Sequence, residues 1–454
     1  MANFFHRMAL ARMCLGIFIV LDGYPLGFFF KETIKIPLPS EVFTAGFMLL
    51  GLALMIPTTA IRKMYAPNIP AVNCLLGFVV MCIFYSFIFN EVAIGDRGKD
   101  LIYYAFVLLY MFLLINVPNE ATEEIIWVGV LFTLVSNLAL VYALLTDPSW
   151  SVGQRAAIQF GEEGAKMGNP HVFSRNAQIG LVCCLMWCNR VNQPFLIRIL
   201  ALSLAIFNVI IIILTFSKSA ILSTLLTAVV YLVANARHTS PRKLLKSLTS
   251  PISLIVLSLP FLGFFALIII RPEIWEILTL YGDLIFGRFS ENIVALLGGE
   301  NDKGELAELD GSSVNRAISW TYVTFAVVDN PLGLIMGYGY KYFFMDIPIL
   351  EALINQGIIG FLLYAYIFYA TGKAAFQAIY DGNRTDVELL MAYMFFLFFV
   401  SYCTSGRPYE MLTLHPLCLF IRFLGITYAP QLLRGYTDTP PPGTSAAPAA
   451  LQPA

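Results

Sequence analysis

The feature that most constrains this chain is a succession of long apolar runs separated by short polar segments. A helix crosses the hydrocarbon core of a bilayer with about 20 apolar residues, and its backbone groups bond within the segment itself. Runs of this length therefore predict membrane-spanning helices. With about 20 residues for each span, the chain has about 12 of them. The runs lie near residues 9–30, 42–61, 69–90, 101–117, 124–146, 172–189, 196–215, 219–235, 252–270, 352–371, 387–405 and 411–428.

The composition supports an all-α integral membrane protein. Hydrophobic residues make up 58% of the chain and charged residues only 13%, against about 25% charged residues in soluble domains. The net charge of −1 gives no basic surface for a nucleic acid. The eight cysteines all fall inside apolar runs, which favours packing residues over a disulfide framework or a zinc site.

The basic loops predict the orientation of the spans. Cytoplasmic loops carry the excess of lysine and arginine, and the most basic loop is "RHTSPRKLLK", Arg237 to Lys246. Alternating spans place this loop inside when the N-terminus is inside, although the loop at 118–123 carries no positive charge. The N-terminal apolar run is too long for a signal peptide and is predicted to be retained as the first span.

This orientation predicts one polytopic membrane domain over residues 1–435, with both termini cytoplasmic. The two longest polar stretches, about 147–171 and 272–351, are then external, and the second connects spans 9 and 10. The Pro/Ala-rich residues 436–454 are predicted to be a disordered cytoplasmic tail. No internal repeat is visible, which counts against transporter folds built from two related halves.

The long external loop is predicted to contain an amphipathic helix in "DGSSVNRAISWTYVTFAVVDNP". Ser312 or Ser313 can cap its start, and Asn330-Pro331 ends it. Arg316 falls in the first turn, where the helix dipole does not favour a cation. A cation at this position suggests an external anionic partner.

Positive side chains gather on this external face. A single lysine or arginine near a helix end needs no further explanation, because its long side chain can place the charge among the lipid headgroups. Several around one long loop favour a site for a polyanion, because guanidinium groups bind diphosphate oxygens in pairs. They are Arg155, Lys166, Arg175, Lys218, Arg271, Arg288, Lys303, Arg316, Lys341 and Arg407.

Short motifs in a fixed order give the chain a resemblance to a known family. They are "GNPH" (Gly168–His171), "TFSKSA" (Thr215–Ala220), "RAISW" (Arg316–Trp320) and "PLGLIMGYG" (Pro331–Gly339), followed by "ILEALINQGIIGFLL". In this order the chain resembles the superfamily of O-antigen ligases and O-antigen polymerases, which are multi-span glycosyltransferases of the bacterial envelope. The resemblance covers about residues 150–370, and Lys218 stands where the family has an arginine.

The resemblance implies transfer of a glycan from an undecaprenyl diphosphate carrier to an acceptor hydroxyl at the outer face of the inner membrane. It implies no metal, no nucleotide and no other cofactor. The acceptor is the lipid A–core in ligases and a second lipid-linked repeat unit in polymerases, for which a regulator of chain length stays open as a partner. Ligases have a histidine before the final helix of the loop, and this chain has Asp346 there, which favours the polymerase. A ligase, or a lipid or polysaccharide transporter, is the alternative.

The same resemblance suggests roles for individual residues. Arg288, Arg316 and Lys218 are expected to bind the diphosphate, with Arg175 lining the same cavity. Asp346 is expected to orient or deprotonate the acceptor, and its alternative role is a helix cap before Pro348. Further candidates are His171 as a second base, Arg155, Lys341 and Arg407.

Asp22, inside the first apolar run, is costly in lipid and is therefore predicted to face protein or water as a structural residue.

Overall fold

The computed structural model describes the greater part of the chain as a bundle of packed helices. The described residues are 2–57, 64–65, 67–89, 94–119, 121–148, 150–151, 154–158, 169–190, 193–238, 275–276, 279–280, 282–283, 287, 311–345, 347–381, 384–404 and 406–425.

The helices follow the apolar runs of the sequence. They are α1 (Ala2–Asp22), α2 (Tyr24–Phe28), α3 (Ser40–Met55), α4 (Ile69–Ile88), α5 (Ile94–Ile115), α6 (Thr122–Thr146), α7 (Pro170–Asn189), α8 (Phe195–Leu214), α9 (Lys218–His238), α10 (Gly311–Thr324), α11 (Gly333–Met336), α12 (Pro348–Asp381), α13 (Asp386–Thr404) and α14 (Met411–Phe423). Two π-helical turns, Phe29–Thr33 and Phe325–Asp329, follow α2 and α10.

Seven helices in the described part of the chain are long and apolar enough to cross a membrane, judged by length and composition. The protein is therefore an α-helical membrane protein, whereas a total of about 12 spans stays a prediction. The predicted span 252–270 and the tail 436–454 lie outside the described residues. The seven candidate spans are Phe4–Asp22, Ile69–Ile88, Arg97–Ile115, Glu124–Thr146, Phe195–Leu214, Pro348–Asp381 and Asp386–Cys403. Shorter apolar helices are Ser40–Met55, Lys218–Ala234 and Met411–Phe423.

The first apolar run does not form one continuous helix. α1 ends at Asp22, Gly23 breaks it, and Pro25 begins the short helix α2. A proline removes a helix-interior hydrogen bond and clashes with the preceding turn, which explains the break in an otherwise apolar run. The break leaves Asp22 at the end of a helix, fully buried among other helices.

α7 is the most polar of the long helices near the centre of the bundle. Ser174, Asn176 and Gln178 on this helix are all buried. Gln178 Nε2 donates to the Ala220 carbonyl (2.9 Å) and lies 2.6 Å from Ser223 Oγ, so its amide is bonded inside the protein. α7 packs against α6, α8 and α13. Neighbouring helices thus shield from lipid the polar groups that lipid could not satisfy.

Ion pairs mark the two ends of the bundle. At one end, here called the Arg7 end, Arg7 pairs with Glu124 (2.8 Å) and Arg190 with Asp386 (3.4 Å). The opposite end, here called the Asp22 end, holds the pairs Asp22–Arg175, Asp100–Lys341 and Glu351–Arg407. Each pair joins helix ends that the predicted alternation of spans assigns to one face.

Candidate functional site

Three helices begin around one cavity at the Asp22 end. They are α7, α9 and α14, which start at Pro170, Lys218 and Met411. The cavity has a volume of about 120 Å³. The first N–H groups of a helix have no partner inside the helix, and the dipole makes its N-terminus attractive to anions. The polar side chains that line the cavity are Asn169, His171, Ser174, Arg175, Gln178, Ser219, Ser401, Tyr402, Glu410 and Thr413.

Asn169, Pro170 and His171 of the "GNPH" motif form the start of α7. The side-chain oxygen of Asn169 accepts from the His171 backbone N–H (3.0 Å), and Pro170 occupies the first helical position, where its missing N–H costs nothing. His171 Nδ1 lies 2.9 Å from Ser217 Oγ and 3.4 Å from Ser219 Oγ. Two motifs selected separately from the sequence are therefore in direct contact.

The "TFSKSA" motif forms the tight turn between α8 and α9. Phe216 adopts a left-handed conformation with φ of 49°, which costs a non-glycine residue about 1–3 kcal/mol. The turn lets α9 begin at Lys218, directly before Ser219 and Ala220, which line the cavity. The backbone N–H of Ala156 donates to the Leu214 carbonyl (2.8 Å), so Arg155 also lies at this end of the bundle.

Arg175 lines the cavity, but its guanidinium is bonded to neighbouring helices. Its Nε donates to Asp22 Oδ1 (2.9 Å), its Nη2 to the Leu21 carbonyl and its Nη1 to the Leu412 carbonyl (both 3.1 Å). Asn176 donates to the other oxygen of Asp22 (2.8 Å). Arg175 thus ties α7 to α1 and α14. Of the two surroundings predicted for Asp22, protein or water, the structure has protein, in a buried ion pair.

Lys341 belongs to a second polar cluster at the same end. Its Nζ lies 2.7 and 2.6 Å from the two oxygens of Asp100, and Tyr340 Oη donates to Asp100 Oδ2 (3.1 Å). Tyr340 also shares a hydrogen bond with Tyr104 (2.7 Å). Burial raises the pKa of the Tyr340 phenol, which keeps it protonated and able to donate. The cluster attaches the turn 337–341 to α5.

Arg407 belongs to a third cluster, centred on Glu351 of α12. Arg407 Nε donates to Glu351 Oε1 (2.7 Å), and the Glu351 carboxylate is fully buried. Asn355 Oδ1 accepts from the backbone N–H of Phe343, and Asn355 Nδ2 donates to the carbonyl of the same residue. Asn355 Nδ2 also donates to Tyr409 Oη (2.9 Å). Burial alone would lower the pKa of Arg407, but the charge and the hydrogen bond of Glu351, together with Tyr409 and Glu410, raise that pKa. Arg407 therefore stays charged and fixes the segment 406–410 on α12.

Other predicted site residues fall outside the described part of the chain. Asp346 and Arg288 are not among the described residues, and Arg316 lies in α10 with its side chain outside them. Their predicted roles stay predictions. The predicted site residues that line the cavity are His171 and Arg175, and Lys218 is the chain neighbour of the lining residue Ser219.

The sequence analysis missed Glu410, the one carboxylate among the residues that line the cavity. Its backbone carbonyl accepts the N–H groups of Thr413 and Leu414 (both 2.9 Å) at the start of α14. Its side chain forms no cap at this helix. The sequence signal for Glu410 is the short polar segment "SGRPYE" between two apolar runs.

A metal site has no candidate in the part of the chain that the structure describes. No group of three or more His, Cys, Asp or Glu side chains is arranged there to hold an ion. The absence of a metal stays a prediction.

No model of a known protein family matches this chain, and no curated protein matches it.

Proposed function

We propose that the protein polymerises lipid-linked oligosaccharide repeat units by glycosyl transfer from undecaprenyl diphosphate at the outer face of the bacterial inner membrane. The observation that carries the proposal is the cavity where α7, α9 and α14 begin, at one end of an apolar bundle. Two of the motifs behind the resemblance to O-antigen polymerases meet at this cavity, 46 positions apart in sequence.

The cavity suits the departing diphosphate. In the reaction, the bond between the anomeric carbon and the diphosphate oxygen breaks, and its electron pair leaves with the phosphate. Helix N-termini are ready-made binding sites for phosphate groups. Donors that are already in place where charge develops stabilise the transition state without reorganisation. Lys218, next to the lining residue Ser219, and Arg155 at the same end are proposed to add cationic side chains. Arg288 and Arg316 remain proposed partners from the long loop.

The acceptor hydroxyl must lose its proton as the new glycosidic bond forms. Asp346 is the base that the resemblance suggests. Glu410 is the carboxylate that the cavity itself offers, and His171 offers an imidazole that Ser217 orients through Nδ1. A positioned general base contributes about 10²–10⁴ in rate. We therefore propose Glu410 beside Asp346 as a candidate for this step.

The other cations have a positioning role in this scheme. Arg175, Lys341 and Arg407 are each paired with a buried carboxylate. Binding a diphosphate through any of them would break an ion pair and leave a buried charge uncompensated, which costs about 3–5 kcal/mol. Arg175 and Arg407 hold segments that line the cavity, and Lys341 holds the turn 337–341 on α5.

A ligase differs from a polymerase only in its acceptor, and the aspartate at position 346 favours the polymerase. A transporter requires ionisable residues along a path through the spans. In the described residues the ion pairs instead gather at the two ends of the bundle.

The test is polymerisation by purified protein in vesicles, with a polyprenyl-diphosphate-linked repeat unit as donor and products separated on a gel. We expect a ladder of products from the wild type, a loss of the ladder with Lys218→Ala and its retention with Lys218→Arg. Glu410→Gln is expected to slow polymerisation by about 10²–10⁴-fold if Glu410 is the base. Lys373→Ala, on α12 and away from the cavity, is the matched control.

The acceptor is tested in parallel reactions with a second lipid-linked repeat unit or with lipid A–core. Product on lipid A–core alone would establish the ligase instead. A wild type that consumes no donor under either condition, or a full ladder from Lys218→Ala, would overturn the proposal.

A further inference from the structure

The segment that contains α10 and α11 has apolar side chains on two sides. On one side Tyr322, Val323 and Ala326 pack against Met345 and Ile354, and Ala326, Met345 and Ile354 are buried. This side holds the segment on the start of α12. A helix that packs on protein with one face normally presents polar side chains on the other.

The opposite side is exposed and apolar. Trp320 is 57% exposed and Leu332 is 76% exposed. We call this surface the apolar ledge, and its residues are Trp320, Phe325, Val328, Leu332, Ile335 and Met336. Large exposed apolar patches mark binding to a protein or a membrane.

Hydrogen bonds to backbone carbonyls fix the position of the apolar ledge along the axis of the bundle. Tyr85 Oη of α4 donates to the carbonyl of Met336, and the backbone N–H of Tyr340 donates to the carbonyl of Phe89 (2.6 Å). The backbone of Gly337 lies directly against that of Gly357 in α12, with no room for a side chain. The ledge is therefore level with the end of α4 and with Gly357 of α12.

The spans beside the apolar ledge expose apolar side chains of their own. Phe87 and Ile88 of α4 are more than half exposed, as are Ile359 and Leu362 of α12. Both helices are candidate membrane spans, so these side chains face hydrocarbon. The ledge continues this surface at the level where α4 ends.

We propose that the apolar ledge inserts into the lipid interface at the Asp22 end of the bundle. Amphipathic helices bury their apolar face about 5–10 Å into the boundary between headgroups and acyl chains. Tryptophan is enriched at this depth, since its ring is apolar and its N–H needs a polar partner. Lipid fits better than a second protein copy, because the ledge extends a surface that already faces lipid. The proposal does not depend on the proposed enzymatic function.

The test uses the fluorescence of Trp320. The chain has five tryptophans, so a variant with phenylalanine at the other four positions makes Trp320 the sole probe. It is reconstituted in phosphatidylcholine vesicles whose lipids are brominated near the headgroup end or near the methyl end of the acyl chain. We expect the largest loss of fluorescence with bromine near the headgroup end, a smaller loss with deep bromine, and little loss with the water-soluble quencher acrylamide.

A second measurement covers the case in which the four replacements prevent folding. The difference in fluorescence between the wild type and Trp320→Phe, in the same vesicles, isolates the same tryptophan. Moving the probe along the ledge, with Trp320→Phe and Leu332→Trp together, must give the same order of quenching. Strong quenching by acrylamide alone would place the ledge in water, and no quenching by either agent would place it under protein. Either result overturns the proposal.

Discussion

The two ends of the bundle use charged residues differently. At the Arg7 end each ion pair has one partner open to solvent: the side chain of Arg7 is 57% exposed and that of Asp386 43%. At the Asp22 end the carboxylates of Asp22 and Glu351 are fully buried. Exposed pairs contribute about 0–1 kcal/mol, whereas removing one partner of a buried pair costs about 3–5 kcal/mol.

This difference indicates what each end is built to do. Pairs in solvent tolerate movement of the helices that they join. A buried pair has one satisfactory geometry, because every lone pair and proton must find a partner. The helix ends around the candidate cavity are thus held in one arrangement, as a site with developing charge requires.

The strongest test of this comparison is Arg175→Met. The substitution keeps a long apolar stem but leaves the Asp22 carboxylate buried without its cation and the Leu412 carbonyl without its donor. We expect a loss of about 3–5 kcal/mol in the free energy of unfolding, measured by reversible unfolding in mixed micelles.

The double variant Arg175→Met with Asp22→Asn is the control for this prediction. It removes both charges, so it should recover part of the loss suffered by Arg175→Met alone. Equal stability of the single and double variants would mean that the pair does not account for the effect.

The sequence predicts the helices of this protein better than it predicts the partners of their charged side chains. Long apolar runs locate most helices, because the cost of unsatisfied backbone in lipid leaves few alternatives. The same reasoning required Asp22 to face protein, but its partner Arg175 lies 153 positions away. Nothing in a local pattern specifies which distant cation satisfies a buried carboxylate. The cations were accordingly expected to bind a diphosphate, although three of them are paired within the fold.

Local motifs were informative where backbone geometry is unusual. "GNPH" contains its own cap and "TFSKSA" a tight turn, and both lie at the cavity. Glu351 followed Asp346 in a pattern typical of a helix start, and its burial beside Arg407 had no local sign. The segment with Glu410 is short and has no periodicity, so the sequence could not place it beside α7 and α9.

A smaller effect is expected from Gly357→Ala, which tests the attachment of α11 to the Asp22 end. Gly357 has a φ of 70° inside α12, and an added Cβ would lie 2.5 Å from the Ile335 carbonyl oxygen. Alanine is strained in this conformation and also collides with backbone, so we expect a loss of about 1–3 kcal/mol in the free energy of unfolding.

Gly46→Ala provides a contrast of opposite sign. Gly46 lies inside α3, and nothing lies within 4 Å of an added Cβ. Alanine stabilises such a position by about 0.4–1 kcal/mol. A similar loss at both positions would show that the close backbone contact at Gly357 is not the cause.

The smallest effect is expected at the Arg7 end, where Arg7→Ala removes the partner of Glu124. The Glu124 side chain is 5% exposed, but Arg7 itself is largely in solvent. Glu124 lies in the first turn of α6, where the N–H groups and the dipole of the helix N-terminus favour a carboxylate, so the loss of Arg7 does not leave it uncompensated. Water and salt also screen the exposed Arg7, so we expect a change of about 0–1 kcal/mol in the free energy of unfolding. Unfolding in mixed micelles at low and high salt measures it, and the difference between wild type and variant should shrink as salt rises. A loss as large as that of Arg175→Met, independent of salt, would show that both ends are held by rigid buried charge and would remove the contrast between them.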